Sequence, residues 1–304
     1  MAVAEVTAGG GWRREIGAFF RRSEPARGLA LLSPTMIIMG LALAAPLALL
    51  AVYSFWTQRG LVVDTHFTLD QYTSAFGRPS FRALFFRSLW ISSIVTVVTV
   101  ALAYPMAYFV AFRVQKSKFI WLILLTIPFW TSYLLRVFAW KVILGYNGVI
   151  NSVLIDLGLI REPIASLLYN PTAVVVTLAH AWAAFAILPI YVSLEKIDRS
   201  LLEAAADLGD GAVRRFLRIT LPLSLPGVLG AAVLIFVPTT GDYVTPSMVG
   251  GTNGVMIASV IEVMFDKIGN WPLGAALAMA SMAMVGIITL IAVQAIRFAV
   301  GRVK

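Results

Sequence analysis

The stretch SLLEAAADLGDGAVRRFLRITLP, residues 200–222, lies between two membrane-length apolar stretches and has the pattern of a soluble helical hairpin. Ser200 and Glu203 have the Ser-x-x-Glu spacing of a capping box, which predicts the start of a helix. Three alanines follow, and alanine is the strongest helix former. Gly209 stands where the left-handed end of a helix favours a residue without a Cβ. The first arm of the hairpin is therefore expected to turn at Gly209.

The second arm of the hairpin is also expected to be helical. Asp210 can cap a helix that carries three arginines, and Pro222 is expected to end that helix because proline cannot continue it. A short amphipathic hairpin between two membrane-length stretches cannot form a domain by itself. Residues 200–222 are therefore predicted to be a docking surface for a partner.

The composition of the chain indicates an integral membrane protein. Hydrophobic residues make up 60% of the 304 residues, charged residues only 13%, and the mean hydropathy is +0.87. A soluble domain of this size carries far more charge. The absence of cysteine excludes disulfides and thiolate metal sites. The net charge of +9 suggests nucleic acid at first, but membrane topology explains the positions of the basic residues better.

Six uncharged stretches are long enough to supply most or all of the ~20 residues that a membrane-spanning helix needs. The third is expected to extend past Arg136, and the fifth to begin near Pro226 and carry Asp242 near its far end. We therefore expect an all-α integral membrane protein with a single six-helix transmembrane domain at 29–304. The stretches are residues 28–58, 88–112, 119–135, 163–194, 219–241 and 268–296.

Residues 1–28 carry five arginines interleaved with aromatic and aliphatic side chains. This mixture favours an amphipathic helix on an anionic cytoplasmic surface. A cleavable signal peptide is the competing interpretation. The uncharged stretch 28–58 is much longer than the apolar core of a signal peptide, about 7–15 residues, and favours a first spanning helix.

The basic residues predict the orientation of the chain. If the N-terminus lies inside, the cytoplasmic segments hold five, three, five and three lysines and arginines, which is sixteen of the 24. The positive-inside rule then places both termini in the cytoplasm. It also places the hairpin 200–222 there, between the fourth and fifth helices. These cytoplasmic segments are residues 1–28, 113–118, 195–226 and 297–304.

The hairpin resembles the EAA loop of the permease subunits of ATP-binding cassette (ABC) importers. The resemblance implies the type I importer permease fold and a loop that fits into a cleft on an ATPase subunit. It also implies a bacterial inner-membrane location and ATP and Mg²⁺ bound by the partner ATPases, with no cofactor in this chain. The residues that match the EAA pattern are Glu203, Ala204, Ala205, Gly209, Ile219, Leu221 and Pro222.

Further segments are similar to the first permease of polyamine (spermidine/putrescine) importers, a group that also handles opines and other small organic solutes. The similarity runs over residues 31–297 and departs from the group at 256–260. It implies a second, different permease, a pair of ATPases and a periplasmic solute-binding protein as partners. The similar segments are PFWTSYLLRVFAW, LLYNPTAVVV, ILPIYVSLEKID, LPLSLPG and GDYVTPSMVGG.

Asp242 is the charge that most suggests contact with a solute. A carboxylate at membrane depth costs ~2.5–3.5 kcal/mol on insertion scales and is expected to face a pathway, water or a partner. It could attract an ammonium group beside Tyr243, or form a gate or a salt bridge at a helix end. Trp130 and Tyr133 could add cation–π contacts. Both aromatic side chains could instead anchor the chain at the membrane surface.

Other functional classes have less support in the sequence. The chain has no GxxxxGK[ST] loop and no soluble domain to hold one, so ATP hydrolysis is expected in a separate subunit. It also has no HExxH motif and no paired intramembrane aspartates, which disfavours a membrane enzyme. A secondary transporter or channel without an ATPase partner is the alternative, with Asp242 as its main support.

Overall fold

A computed structural model of the chain describes residues 23–60 and 62–301, and among them thirteen α-helices and a two-stranded antiparallel sheet. The elements are α1 (Glu24–Tyr53), β1 (Thr57–Arg59), β2 (Val62–Asp64), α2 (Asp70–Gly77), α3 (Pro79–Tyr108), α4 (Lys118–Thr126), α5 (Tyr133–Ile143), α6 (Val149–Asp156), α7 (Pro171–Glu195), α8 (Arg199–Asp207), α9 (Ala212–Arg215), α10 (Leu221–Thr240), α11 (Val244–Val249), α12 (Ile257–Asp266) and α13 (Trp271–Gly301). The chain divides after Tyr53 into two units.

The first unit contains α1. Its stretch Leu31–Tyr53 is long and apolar enough to cross a membrane, and none of it is buried within this chain. A helix that is apolar on every face is stable only in a protein core or in lipid. The first predicted span is therefore present as a helix. Residues 1–22 of the predicted amphipathic segment lie outside the described residues.

The core of the second unit is built by α3, α7 and α10, which pack against one another more extensively than any other helices. Ile91 and Val95 of α3, Leu178 and Ile187 of α7, and Ile235 of α10 are fully buried in this core. A second cluster joins α2, α12 and α13 to the start of α3 through side chains that include Phe85, Ile257 and Leu277.

Gly227 allows α10 to approach α7 closely. A Cβ atom at this position would lie 2.4 Å from the Cβ of Ser193 and 2.5 Å from the carbonyl oxygen of Pro189. Small residues at such crossings let helix backbones pack together in a membrane. Position 227 therefore has no room for a side chain unless the two helices separate.

Five helical stretches of the described residues are long and apolar enough to span a membrane, and a bent pair makes a sixth if it is counted as one span. The bent pair is Lys118–Trp130 and Tyr133–Ile143, which meet at 82°. The other five are Leu31–Tyr53, Pro79–Arg113, Pro171–Glu195, Ala212–Thr240 and Trp271–Gln294. The six-helix membrane fold predicted from the sequence is confirmed, with two differences.

The third predicted span extends past Arg136, as far as Ile143, but it is bent instead of being one continuous helix. It tightens into a 3₁₀ turn at Ile127–Trp130 and restarts at Tyr133 after a break at Thr131 and Ser132. Pro128 is the second residue of this turn, and a proline ring disfavours continuation of the preceding helix. The fifth predicted span begins at Ala212 rather than near Pro226, because α9 runs into α10.

Candidate functional site

The first arm of the hairpin is α8, which begins one residue before the predicted capping box. Asp198 is the N-cap, and its Oδ1 accepts a hydrogen bond from the backbone N–H of Ser200 at 2.9 Å. This bond lowers the pKa of the Asp198 carboxyl. The Ser200–Glu203 capping box is therefore wrong: Ser200 lies inside the first turn, because a carboxylate two residues earlier already accepts its N–H.

The turn between the two arms is a Schellman motif centred on Gly209. The N–H of Asp210 donates to the carbonyl of Ala205 and the N–H of Gly209 to that of Ala206, both at 2.9 Å. Gly209 has φ +87°, a left-handed conformation that residues with a Cβ rarely adopt. The helix end predicted at Gly209 is confirmed.

The second arm differs from the prediction at both of its ends. The N-cap of α9 is Gly211, which has no side chain, so Asp210 does not cap it. The Asp210 carboxylate instead pairs with the guanidinium groups of Arg214 at 3.3 Å and Arg218 at 3.8 Å. The arm does not end at Pro222, because a π-helical turn at Phe216–Thr220 connects it to α10. Proline is tolerated there because it falls in the first turn of α10.

The residues of the EAA pattern divide into two groups. Glu203, Ala204 and Gly209 are exposed and Ala205 is buried, whereas Ile219, Leu221 and Pro222 are partly buried in the second arm. The tip of the hairpin also exposes two apolar side chains: Leu208 is 88% exposed and Val213 is 73% exposed. The hairpin therefore presents a polar and apolar surface that nothing else in the described chain covers.

Cationic side chains link the base of the hairpin to the membrane helices. Lys118 Nζ lies 2.6 Å from a carboxylate oxygen of Glu195, at the end of α7. Lys118 and Arg199 both donate to the carbonyl oxygen of Ala111, at 3.3 and 3.2 Å. Ala111 lies in a π-helical turn, Phe109–Arg113, that extends α3. One backbone carbonyl thus joins α3 to α4 and to the first arm of the hairpin.

At the opposite end of α10, Asp242 joins two helices. α10 ends at Thr240, and the side chain of Asp242 is 9% exposed. Its Oδ1 accepts the backbone N–H groups of Val244 at 2.8 Å and Thr245 at 3.3 Å, which caps α11. Its Oδ2 accepts the hydroxyl of Tyr133 on α5. The structure therefore favours a role for Asp242 at a helix end, where it accepts hydrogen bonds and forms no salt bridge among the described residues.

The four predicted pathway residues do not form one cluster. Tyr133 and Asp242 are in contact, and the Tyr133 hydroxyl also lies 2.6 Å from Oγ1 of Thr245. Trp130 is 86% exposed, on the 3₁₀ turn before the break. Tyr243 is about half exposed and lines a cavity described below.

Arg136, which the sequence analysis named only as a residue that the third span passes, makes contacts in the structure. Its guanidinium lies 5.0 Å from the ring centre of Phe129 and 5.8 Å from that of Tyr133. It donates to the carbonyl of Ala181 at 3.1 Å, so it ties the bent third span to α7. Cation–π contact of this kind compensates part of the loss of water around the charge.

A cavity of about 760 Å³ lies among α10, α12 and α13, and we call it the α12 cavity. Its wall is mainly apolar, and Glu262 is its acidic residue. The sequence interpretation overlooked Glu262, although it is the one charge in the apolar stretch MIASVIEVMF, residues 256–265. The lining includes Thr240, Tyr243, Glu262, Ser281, Met282 and Thr289. Among the described residues, no group of three or more metal-ligating side chains is present.

The chain is similar to known membrane transport proteins over almost its full length. Residues 16–297 match the family model described as binding-protein-dependent transport system inner membrane component. The chain is 36% identical over 225 residues to the spermidine/putrescine transport system permease protein PotB of Escherichia coli, covering 74% of this chain and 81% of that protein. It is 30% identical over 261 residues to the inner membrane ABC transporter permease protein YdcU of the same organism, covering 78% and 82%.

The fold is also similar to that of a solved transporter. A chain of a bacterial ABC transporter involved in the import of the acidic polysaccharide alginate superposes with a TM-score of 0.70, covering 93% of this chain and 98% of that one. At 18% identity this likeness shows the fold alone. It confirms the type I importer permease architecture expected from the resemblance of the hairpin.

Proposed function

Because this chain belongs to the family of binding-protein-dependent transport system inner membrane components, and is therefore an ABC importer permease rather than an enzyme, we propose that its solute is a polyamine or a related small organic cation. The 36% identity to a spermidine/putrescine permease supports this class of solute. Opine-like compounds, which combine amino and carboxylate groups, are the second candidate. A competition experiment tests the choice between a polyamine and an opine. It measures which of unlabelled spermidine, putrescine and an opine displaces a labelled ligand from the cognate binding protein.

We propose that the hairpin 200–222 couples this subunit to an ATPase. The Schellman turn at Gly209 carries this proposal, because it fixes the direction of both arms and exposes the tip. Leu208 and Val213 give the tip apolar side chains that would be covered by an apolar cleft on a partner. Glu203 adds a charged group beside the exposed Ala204, whereas Ala205 is buried and Ile219, Leu221 and Pro222 are partly buried.

A cysteine cross-link tests the coupling hairpin. Val213→Cys is expected to cross-link to the ATPase in native membranes, since Val213 is at the exposed tip. A cysteine in place of Val153 on α6 is the matched control, because this exposed valine lies in a segment that the positive-inside rule places outside the cell. Cross-linking of both variants, or of neither, argues against the hairpin as the docking surface.

The remaining partners follow from the same proposal. A second, homologous permease completes the pathway, a pair of ATPases binds ATP and Mg²⁺, and a periplasmic binding protein delivers the solute. This chain then needs no cofactor of its own and no nucleic acid. Copurification of a nucleotide-binding subunit and of a second permease with the tagged chain tests this composition.

We propose that both termini lie in the cytoplasm of a bacterial cell with an inner membrane. Sixteen of the 24 lysines and arginines lie in the segments that this orientation places inside. The same orientation places α8 and α9 inside and α6, α11 and α12 on the outer side. In this orientation four residues lie in the outer half of the pathway: Trp130, Tyr133, Asp242 and Tyr243. The contact between Tyr133 and Asp242 fixes the position of α11.

A secondary transporter or channel is the second candidate function. It would need coupling-ion sites or pore rings of its own. Asp242 was its main support, and this carboxylate accepts three hydrogen bonds within the chain. The importer is the function that the structure supports better.

A further inference from the structure

The α12 cavity has the electrostatic character of a cation site. Glu262 is the carboxylate that lines it, and no lysine, arginine or histidine of the described chain does so. The side chain of Glu262 forms no ion pair or hydrogen bond with the described residues. Its negative charge therefore has no counter-charge from the described part of the chain.

The polar groups of the α12 cavity are few, and two of them have no hydrogen-bond partner in the described part of the chain. The hydroxyl oxygens of Ser281 and Thr289, both in the lining, are buried and have no hydrogen-bond partner in the described part of the chain. Buried hydroxyls without partners are uncommon in proteins, because each loses the hydrogen bonds that water would provide. The phenol of Tyr243, which lines the cavity and is about half exposed, offers an acceptor for an N–H group.

The rest of the wall suits an alkyl chain. Most of the lining is apolar, and it includes Val237 of α10 and Leu290 of α13. A cavity that combines apolar walls with few convergent polar groups is typical of small-molecule sites. An anionic solute would meet the Glu262 carboxylate without any compensating cation. An alkylammonium compound matches both the charge and the apolar surface.

The sequence suggested Asp242 for this role, and the structure distinguishes the two carboxylates. Asp242 accepts the N–H groups of Val244 and Thr245 and the hydroxyl of Tyr133. If it turned towards a solute, these donors would be left unpaired. Glu262, by contrast, has both oxygens available.

We propose that Glu262 binds an ammonium group of the transported solute in the α12 cavity, with Tyr243 beside it and the aliphatic wall against the methylene chain. This inference rests on the proposed import of an organic cation. It assigns the contact with the solute to Glu262 on α12 rather than to Asp242 after the end of α10. Glu262 is then a residue that determines which solute is transported.

The test uses the complete importer in proteoliposomes with its binding protein, and labelled putrescine and spermidine as probes. Glu262→Gln keeps the shape and removes the charge, so KM for uptake is expected to rise about tenfold or more. Glu262→Asp keeps the charge and is expected to retain most of the uptake. Asp266→Asn is the matched control, because Asp266 is an exposed carboxylate on the same helix and does not line the cavity.

Each outcome decides between named alternatives. If wild-type and Glu262→Gln importers transport the labelled cation equally, the site at Glu262 is wrong while the proposed solute stands. If the wild-type importer transports neither cation, the proposed solute fails and the site with it. If Glu262→Gln prevents copurification of the second permease, the cavity is a subunit interface and the proposal is overturned. A rise in KM with normal copurification, restored by Glu262→Asp, supports it.

Discussion

The hydroxyl of Tyr133 donates a hydrogen bond to the carboxylate of Asp242, although the two residues are 109 positions apart in the sequence. This contact ties α5, the second half of the bent third span, to the cap of α11. The same hydroxyl reaches Oγ1 of Thr245 at 2.6 Å. One phenol thus holds the break in the third span against the end of the fifth, and these two irregular segments are expected to move together.

Removal of the Tyr133 hydroxyl is expected to destabilise the protein. Tyr133→Phe leaves the Asp242 carboxylate without one donor, and an unsatisfied buried polar group costs roughly 1–3 kcal/mol. The midpoint of thermal unfolding of the complex in detergent should fall. Tyr243→Phe is the control, since this tyrosine is only half-buried, and should leave the midpoint unchanged. An unchanged midpoint in Tyr133→Phe would contradict the structural role of the contact.

The turn at Gly209 is expected to be essential for transport. Gly209→Val forces a β-branched residue to φ +87°, which distorts the Schellman turn. We expect transport to be lost while membrane insertion and detergent stability are retained. Gly211→Ala is the control, because Gly211 has φ −65° and a Cβ there meets no atom within 4 Å. Uptake is measured for both variants, and normal uptake in Gly209→Val would count heavily against the docking hairpin.

The crossing of α7 and α10 is expected to depend on Gly227. Gly227→Ala places a Cβ 2.4 Å from that of Ser193, and such overpacking costs typically ~1–3 kcal/mol. The unfolding midpoint should fall and the yield of folded complex should decrease. Gly230→Ala on the same helix has open space around its Cβ and should be neutral. Equal midpoints for the two variants would show that the helices separate without loss of stability.

The orientation of the chain predicts the location of two loops. A reporter fused at Gly209 should report the cytoplasm and one fused at Gly158 the outside, since the basic residues place the two positions on opposite sides. If both report the same side, the number of spans between them is wrong by one. If both report the outside, the hairpin is also out of reach of an ATPase.

Much of this fold was predictable because its signals are local. The spans follow from runs of uncharged residues, and the helix end at Gly209 follows from the need for a positive φ. The membrane also restricts the chain to helices, which removes most alternatives. The sequence therefore predicted the six-span fold and the position of the hairpin.

The predictions of helix ends that were wrong failed for physical reasons that the local sequence does not encode. Both Asp198 and Ser200 are good N-cap residues, and which of them caps α8 depends on where α7 ends. Pro222 was expected to end a helix, but a π-helical turn before it moves it into the first turn of α10. Such adjustments are set by packing between helices.

Local sequence patterns could not predict which side chains the candidate site residues contact. Asp242 was the apparent solute carboxylate because it follows an apolar helix, and its contact with Tyr133 is made by tertiary packing. Glu262 was the weaker signal in the sequence, a single charge in a short apolar helix. Its position in the α12 cavity depends on how α12 packs against α10 and α13.

ATP-driven uptake is the most direct test of the proposed function. The purified complex that contains this chain is reconstituted with its binding protein, and entry of labelled putrescine is followed with ATP, with a non-hydrolysable analogue, and with an imposed proton or sodium gradient. The account predicts uptake only when both the binding protein and hydrolysable ATP are present. Uptake driven by the ion gradient without ATP would contradict it and would indicate a secondary transporter.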